Sequence, residues 1–210
     1  MDFNAILNQV LSAAQETVKK TASGNSTTDK VAKIGGGAAA IGVLSMIFGR
    51  TGGAGLAKLG SLAALGSLAY QAYQDYQHKQ SQVVPVTETE FTQSVQQSAE
   101  LSKVILQAMI AAAAADGAIS DREQQAILSQ AGDDAEVQQW IRQEMYQPAT
   151  VREIAQQVGD NQALASQVYL AARMVCADLA RKEIVFLANL AQALGLDEAL
   201  VEQLEKQAGF

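Results

Sequence analysis

The chain has 210 residues, with 15 basic and 22 acidic side chains, one histidine, one cysteine and two prolines. That length holds one ordinary domain plus an addition. A lone cysteine excludes an intramolecular disulfide, and zinc sites built from Cys and His are excluded by count. Abundant Ala, Gln, Leu and Glu with so little proline predict an all-α protein. The charge is split: residues 1–87 carry seven basic and four acidic side chains, and the rest carry eight and eighteen. So acidic a C-terminal half is a poor match for nucleic acid, which needs clustered Lys and Arg.

Residues 1–20 place Phe3, Ile6, Leu7, Val10, Leu11, Ala14 and Val18 at helical spacing, one apolar stripe with polar residues opposite. The pattern is not a secretory signal, since a basic leader is missing and polar residues interrupt the apolar run. Two readings stand: a helix lying in a membrane interface, or a helix packed on the protein's own core. Residues 21–33 are small and polar at first and read as a linker.

Residues 34–76 are two Gly/Ala-rich apolar segments around the basic, glycine-rich hinge GRTGGAG. The first, 34–48, is uncharged and spans roughly 22 Å as a helix, against a hydrocarbon core of about 30 Å. The second, 56–73, carries Lys58 near one end, and Tyr70, Tyr73 and Tyr76 suit a membrane–water interface. Gly35, Ala39, Gly42, Gly60, Ala64 and Ser67 lie at the close helical spacing that lets membrane helices approach. The expectation is a membrane helical hairpin that self-associates through these faces. Its alternatives are a single span over 56–73 and a buried Ala/Gly-rich hairpin in a soluble fold. Lysines 19, 20, 30, 33 and 79 flank the hairpin, which predicts both ends on the cytoplasmic side.

Residues 77–90 form a second linker, with Pro85 as a breaker and Thr87 or Thr89 as the next cap. Over 91–210 the punctuation predicts six or seven helices. A long alanine-rich one runs from Phe91 to about Ala115, and a break follows at Asp116-Gly117. Capping boxes stand at Ser120/Glu123 and Thr150/Glu153. A stop is expected near Tyr146 before Pro148, a stop and restart at Gly159-Asp160-Asn161, a break at Asp178–Arg181, and a final cap at Asp197 after Gly195.

The segment ILQAMIAAAAADGAISDREQQAILSQ resembles the TerB-like tellurite-resistance helical domain, through Asp116, Gly117, Ile119 and Glu123. A Gly/Ala segment ahead of it, GLAKLGSLAALGSLAYQAYQDYQ, gives the layout of the YebE family of bacterial inner-membrane proteins. The resemblance covers roughly 30–210. It implies an inner-membrane location with a cytoplasmic helical domain and no established reaction. It also implies a metal association for acidic turns of this kind, matched at Asp116 and Glu123. The second turn, ADLARKE, departs from the pattern by lacking glycine and adding Arg181 and Lys182.

Asp116, Asp121 and Glu123 offer oxygens to a hard divalent cation. The same residues also read as a helix stop, a cap and acids at a helix N-terminus. His78 stands outside the C-terminal domain, which excludes a serine–histidine–acid triad there. The glycine hinge lacks the Gly-Lys-Ser/Thr ending of a phosphate loop. Cys176, Trp140 and Tyr146 read as core residues. No cofactor and no catalytic residue is expected. The expected partners are membrane lipid, a second copy through the hairpin and an unidentified protein, with a divalent cation as the alternative ligand.

Overall fold

The structure is a computed structural model that describes residues 3–8, 11, 61–79, 86–115, 117, 135–176 and 179–210. The described residues are helical, without a strand. Residues 3–8 form a helical stretch, followed by α1 (Leu62–Lys79), α2 (Glu88–Gln97), α3 (Ala99–Ala114), α4 (Ala135–Tyr146), α5 (Val151–Val158), α6 (Gln162–Val175), α7 (Arg181–Ala193) and α8 (Glu198–Ala208).

The centre is α3 against α6. Both are apolar nearly all round, with Val104–Ala113 and Ala163–Val175 buried, as expected of helices enclosed by others. Their many alanines let the two backbones approach and leave the larger Ile105, Met109, Val168 and Leu170 to fill the space between elements. Cys176 ends α6 with its thiol buried and Sγ 4.0 Å from the Ala112 carbonyl oxygen, a packed thiol as its sequence context predicts.

Helix α1 holds most of the second apolar arm, and the membrane hairpin expected there is not borne out. The helix packs against α8, α2 and α6, burying Leu62, Leu65, Gly66, Ala69, Ala72, Tyr73 and Tyr76 in the same core as the C-terminal helices. Its polar residues Gln71, Gln74 and His78 fall on the outer side, an amphipathic division that a lipid-facing helix does not need. No helix among the described residues is long and apolar enough to cross a membrane. At Gly66 a Cβ would collide with the Phe91 carbonyl oxygen, so glycine is what lets α1 and α2 touch. The small-residue face expected at Ala64 and Ser67 is only partly buried, and Ser67 Oγ accepts from Gln71 Nε2 at 3.3 Å.

The N-terminal stretch settles on the protein. Phe3, Ile6, Leu7 and Leu11 are buried, and the Phe3 ring meets Trp140 edge-on at 5.0 Å. The Ser102 hydroxyl donates to Asn4 Oδ1, and Asn8 Oδ1 accepts from the Leu62 N–H at 3.1 Å, satisfying an orphan donor at the start of α1.

Most breaks fall where the punctuation puts them. Thr150 and Glu153 form a reciprocal capping box, with the Thr150 N–H donating to Glu153 Oε2 at 2.8 Å and the Glu153 N–H to Thr150 Oγ1 at 3.3 Å. Gly159 and Gly195 take positive φ, 59° and 65°. The long helix expected from Phe91 to Ala115 is instead two. Ser98 is extended at φ −122° and ψ 113°, separating α2 from α3. Serine competes poorly for helix interiors, and the kink lets Phe91 face α1 while α3 turns to α6. Tyr146, expected in the core, is 85 % exposed, because it ends α4 one position past the buried Glu144 and Met145.

Candidate functional site: an acidic, tyrosine-walled groove

Four segments distant in sequence meet at an open groove of about 550 Å³. Tyr73 and Tyr76 come from one face of α1, three residues apart. Glu90 comes from the first turn of α2, with Val86 before it. Asp160, Asn161, Gln162 and Ala163 enter α6, and Gly195 and Asp197 lead into α8. The mouth is thus framed by three helix N-termini.

Each terminus brings its own cap. The Thr87 N–H donates to Glu90 Oε2 at 2.7 Å, Asn161 Oδ1 accepts from the Leu164 N–H at 3.0 Å, and Asp197 Oδ1 accepts from the Ala199 N–H at 2.8 Å. Three positive helix ends would by themselves favour an anion. Here Glu90, Asp160 and Asp197 reverse that preference, and the described lining contains no basic side chain.

The tyrosines are held firmly. Tyr73 lies 5.6 Å from the Phe91 ring and 6.1 Å from Tyr76. Burial pushes the Tyr73 hydroxyl up, with Gln77 pulling it back and Glu90 adding to the rise. Burial also raises Tyr76, and the Asp197 charge raises it further. The phenols stay neutral in physiological conditions, beside carboxylates. The Thr87 N–H and hydroxyl hold the Glu90 carboxyl below the usual range. Neutral aromatic rings beside fixed negative charge form an environment for a cation.

A family model described as "Protein of unknown function (DUF533)" matches residues 33–208. The chain belongs to the DUF533 family. Comparison with curated proteins and with solved structures finds no match. The DUF533 match spans the residues of α1 to α8, the helices that share one core.

Of the residues singled out in the sequence of this DUF533 chain, Asp116, Asp121, Glu123, Gly35, Ala39, Gly42 and Gly60 lie outside the described residues. Among the described residues no group of three or more His, Cys, Asp or Glu side chains is gathered as a metal site. His78 is exposed in the last turn of α1.

Two further polar clusters are structural. Buried Arg173 pairs with Glu205 at 3.0 Å, donates to the Cys176 carbonyl at 2.9 Å and lies 3.7 Å over the Phe210 ring, tying the C-terminus to α6. Tyr169 donates to the same Glu205 at 2.8 Å, and burial, then Glu205, pushes its hydroxyl well above the usual range. On the far side Gln107 Nε2 donates to Glu144 Oε1 at 2.6 Å, and burial raises the Glu144 carboxyl.

The groove was not legible as a site. Asp160 and Asp197 read in the sequence as local punctuation, Glu90 as the last residue of the second linker, and Tyr73 and Tyr76 as interfacial aromatics. Their convergence is a tertiary property.

Proposed function

We infer that this DUF533 member is a non-enzymatic, membrane-associated interaction protein whose acidic groove takes a basic segment of a protein partner. The observation that carries it is the convergence of Glu90, Asp160 and Asp197 with Tyr73 and Tyr76 on one open groove. Arg and Lys side chains combine the two features such a groove rewards, charge for the carboxylates and an apolar or planar body for the rings.

Membrane association rests on residues 34–48 and the flanking lysines. With α1 packed on protein, the anchor is this earlier apolar segment rather than a full two-armed hairpin. The YebE and TerB-like resemblance supports an inner-membrane location with the helical body on the cytoplasmic side. Gly35, Ala39 and Gly42 supply the small face for self-association there.

Fluorescence anisotropy tests the groove. A labelled Lys/Arg-rich peptide is titrated into the detergent-solubilised full chain, with a Glu-rich peptide as control. The basic peptide binds, binding weakens as salt rises, and Asp160→Lys lowers affinity by about tenfold, the equivalent of about 1.4 kcal/mol. Equal binding of both peptides, or no effect of Asp160→Lys, overturns the reading. The anchor is tested by fractionation, and full-length protein recovered in the supernatant without detergent removes it.

A further inference from the structure

The Gln107–Glu144 contact does more than fix α4 to α3. Lys103 and Gln107 lie one turn apart on α3, and Trp140 and Glu144 lie one turn apart on α4, so the two helices meet across two rungs. The first rung grips the N-terminal stretch. The Phe3 ring meets Trp140 edge-on at 5.0 Å, and Lys103 Nζ lies 5.9 Å from the centre of the same ring. Next to Lys103, the Ser102 hydroxyl donates to Asn4 Oδ1. The second rung is Gln107 Nε2 donating to Glu144 Oε1 at 2.6 Å.

Glu144 is a costly residue for that rung. It is only 8 % exposed, and its side-chain partner is a neutral amide, which leaves an ionised carboxylate poorly compensated. Lys103 faces it from α3 and attracts the charge, the Ala149 N–H supports it from the turn before α5, and Glu153 on α5 repels it. Burial outweighs the supports and holds the carboxyl above its usual range. The seam is also short of hydrogen bonds. Gln107 Oε1 on one helix and Trp140 Nε1 on the other are buried without a partner. A seam of this kind has little stability to spare. A proton on Glu144 removes the buried charge and turns the carboxyl into a donor, which Gln107 Oε1 meets after a half-turn of its amide.

We propose that Glu144 is a proton-operated tie that sets how firmly α3 and α4 hold the N-terminal stretch, closed when the carboxyl is neutral and loosened when it is ionised. The folded protein binds this proton more readily than the unfolded chain. The tie therefore contributes most below the ordinary glutamate range, and its contribution is lost as pH rises through the raised value. What it controls is the cover over Phe3, Ile6, Leu7 and Leu11, the apolar stripe that the closed state buries.

Trp140 is the one tryptophan of the chain, so its fluorescence reports the seam directly. Acrylamide quenching is followed with the full chain in detergent from about pH 4 to about pH 8. Quenching rises in a single step as pH increases, with its midpoint above the usual glutamate range. Glu144→Gln, neutral at every pH, keeps Trp140 protected throughout. Lys103→Gln removes the attracting charge and moves the midpoint up. Phe3→Ala raises quenching at acid pH and matches the parent at alkaline pH, where the ring has already left. Quenching that does not change with pH in the parent, or a step that persists in Glu144→Gln, overturns the proposal. So does a midpoint that Lys103→Gln leaves in place or lowers. Loss of cooperative urea unfolding in Glu144→Gln overturns it as well, since a neutral side chain of the same size is what the closed tie holds.

Discussion

Helices α1 and α7 have similar mixtures of aliphatic, alanine and polar residues, and the fold treats them in opposite ways. α1, LAALGSLAYQAYQDYQHK, sends Leu62, Leu65, Ala69, Ala72 and Tyr73 inward and has three helices against it. α7, RKEIVFLANLAQA, buries Glu183, Leu187 and Leu190 and leaves Ile184 and Val185 in solvent. Apolar content therefore does not decide burial here. What decides it is whether the apolar positions keep one helical phase: in α1 they recur at three- and four-residue steps through to Tyr76, whereas in α7 Ile184-Val185-Phe186-Leu187 runs across every face.

The comparison breaks first at Leu65. This side chain is fully buried, so Leu65→Ala removes its transfer energy and leaves a cavity, and urea unfolding should show a loss of about 3 kcal/mol. A loss below about 1 kcal/mol would mean that α1 is not held by the core, and the second apolar arm would again be free for a membrane.

Gly66→Ala comes next. On an exposed helix the change would add about 1 kcal/mol of stability through propensity alone. Here the new Cβ meets the Phe91 carbonyl, backbone that moves only if α1 and α2 separate. Overpacking of this kind costs about 1–3 kcal/mol, so the urea midpoint should fall and not rise. The sign of the shift is the test.

The helical class and most element ends were legible because they depend on local chemistry. Thr150 with Glu153, Gly159 before Asn161, and Gly195 before Asp197 each satisfy backbone groups within a few residues of themselves. The split at Ser98 was not legible, since a serine in an alanine-rich run breaks a helix only when tertiary packing favours the break. The place of α1 was left open between lipid and a protein core for a related reason. Small residues at four-residue spacing allow close approach to any helix, in lipid or in a protein core, and the partner, Phe91, lies on the far side of the Pro85 linker. The groove needs four such partners at once.

The start of α7 offers a smaller contrast. α5 opens on a threonine whose side chain accepts a backbone N–H, whereas α7 opens on Ala180, which has no side-chain acceptor. The φ of −55° and ψ of 150° at Ala180 suit a capping residue. Ala180→Ser should therefore raise stability by about 1 kcal/mol, measured by urea titration, and Thr150→Ala should lower it by a similar amount. If serine gives no gain, the Glu183 carboxylate, which accepts the Ala180 N–H at 2.8 Å, already satisfies that end of the helix.

The smallest effects belong to the outer face of α7, and their smallness is informative. Ile184→Ala and Val185→Ala remove aliphatic carbon that water already reaches, so each should change stability by less than about 0.5 kcal/mol. Leu65→Ala on α1 removes carbon of the same kind at several times that cost. Ile184 and Val185 thus contribute to the solvent-facing side of α7 and not to the core that holds α1. Measured at low protein concentration, the pair of alanine variants should unfold like the parent. Stability losses near those of Leu65→Ala would instead place Ile184 and Val185 in the core, and the distinction between the two helices would disappear.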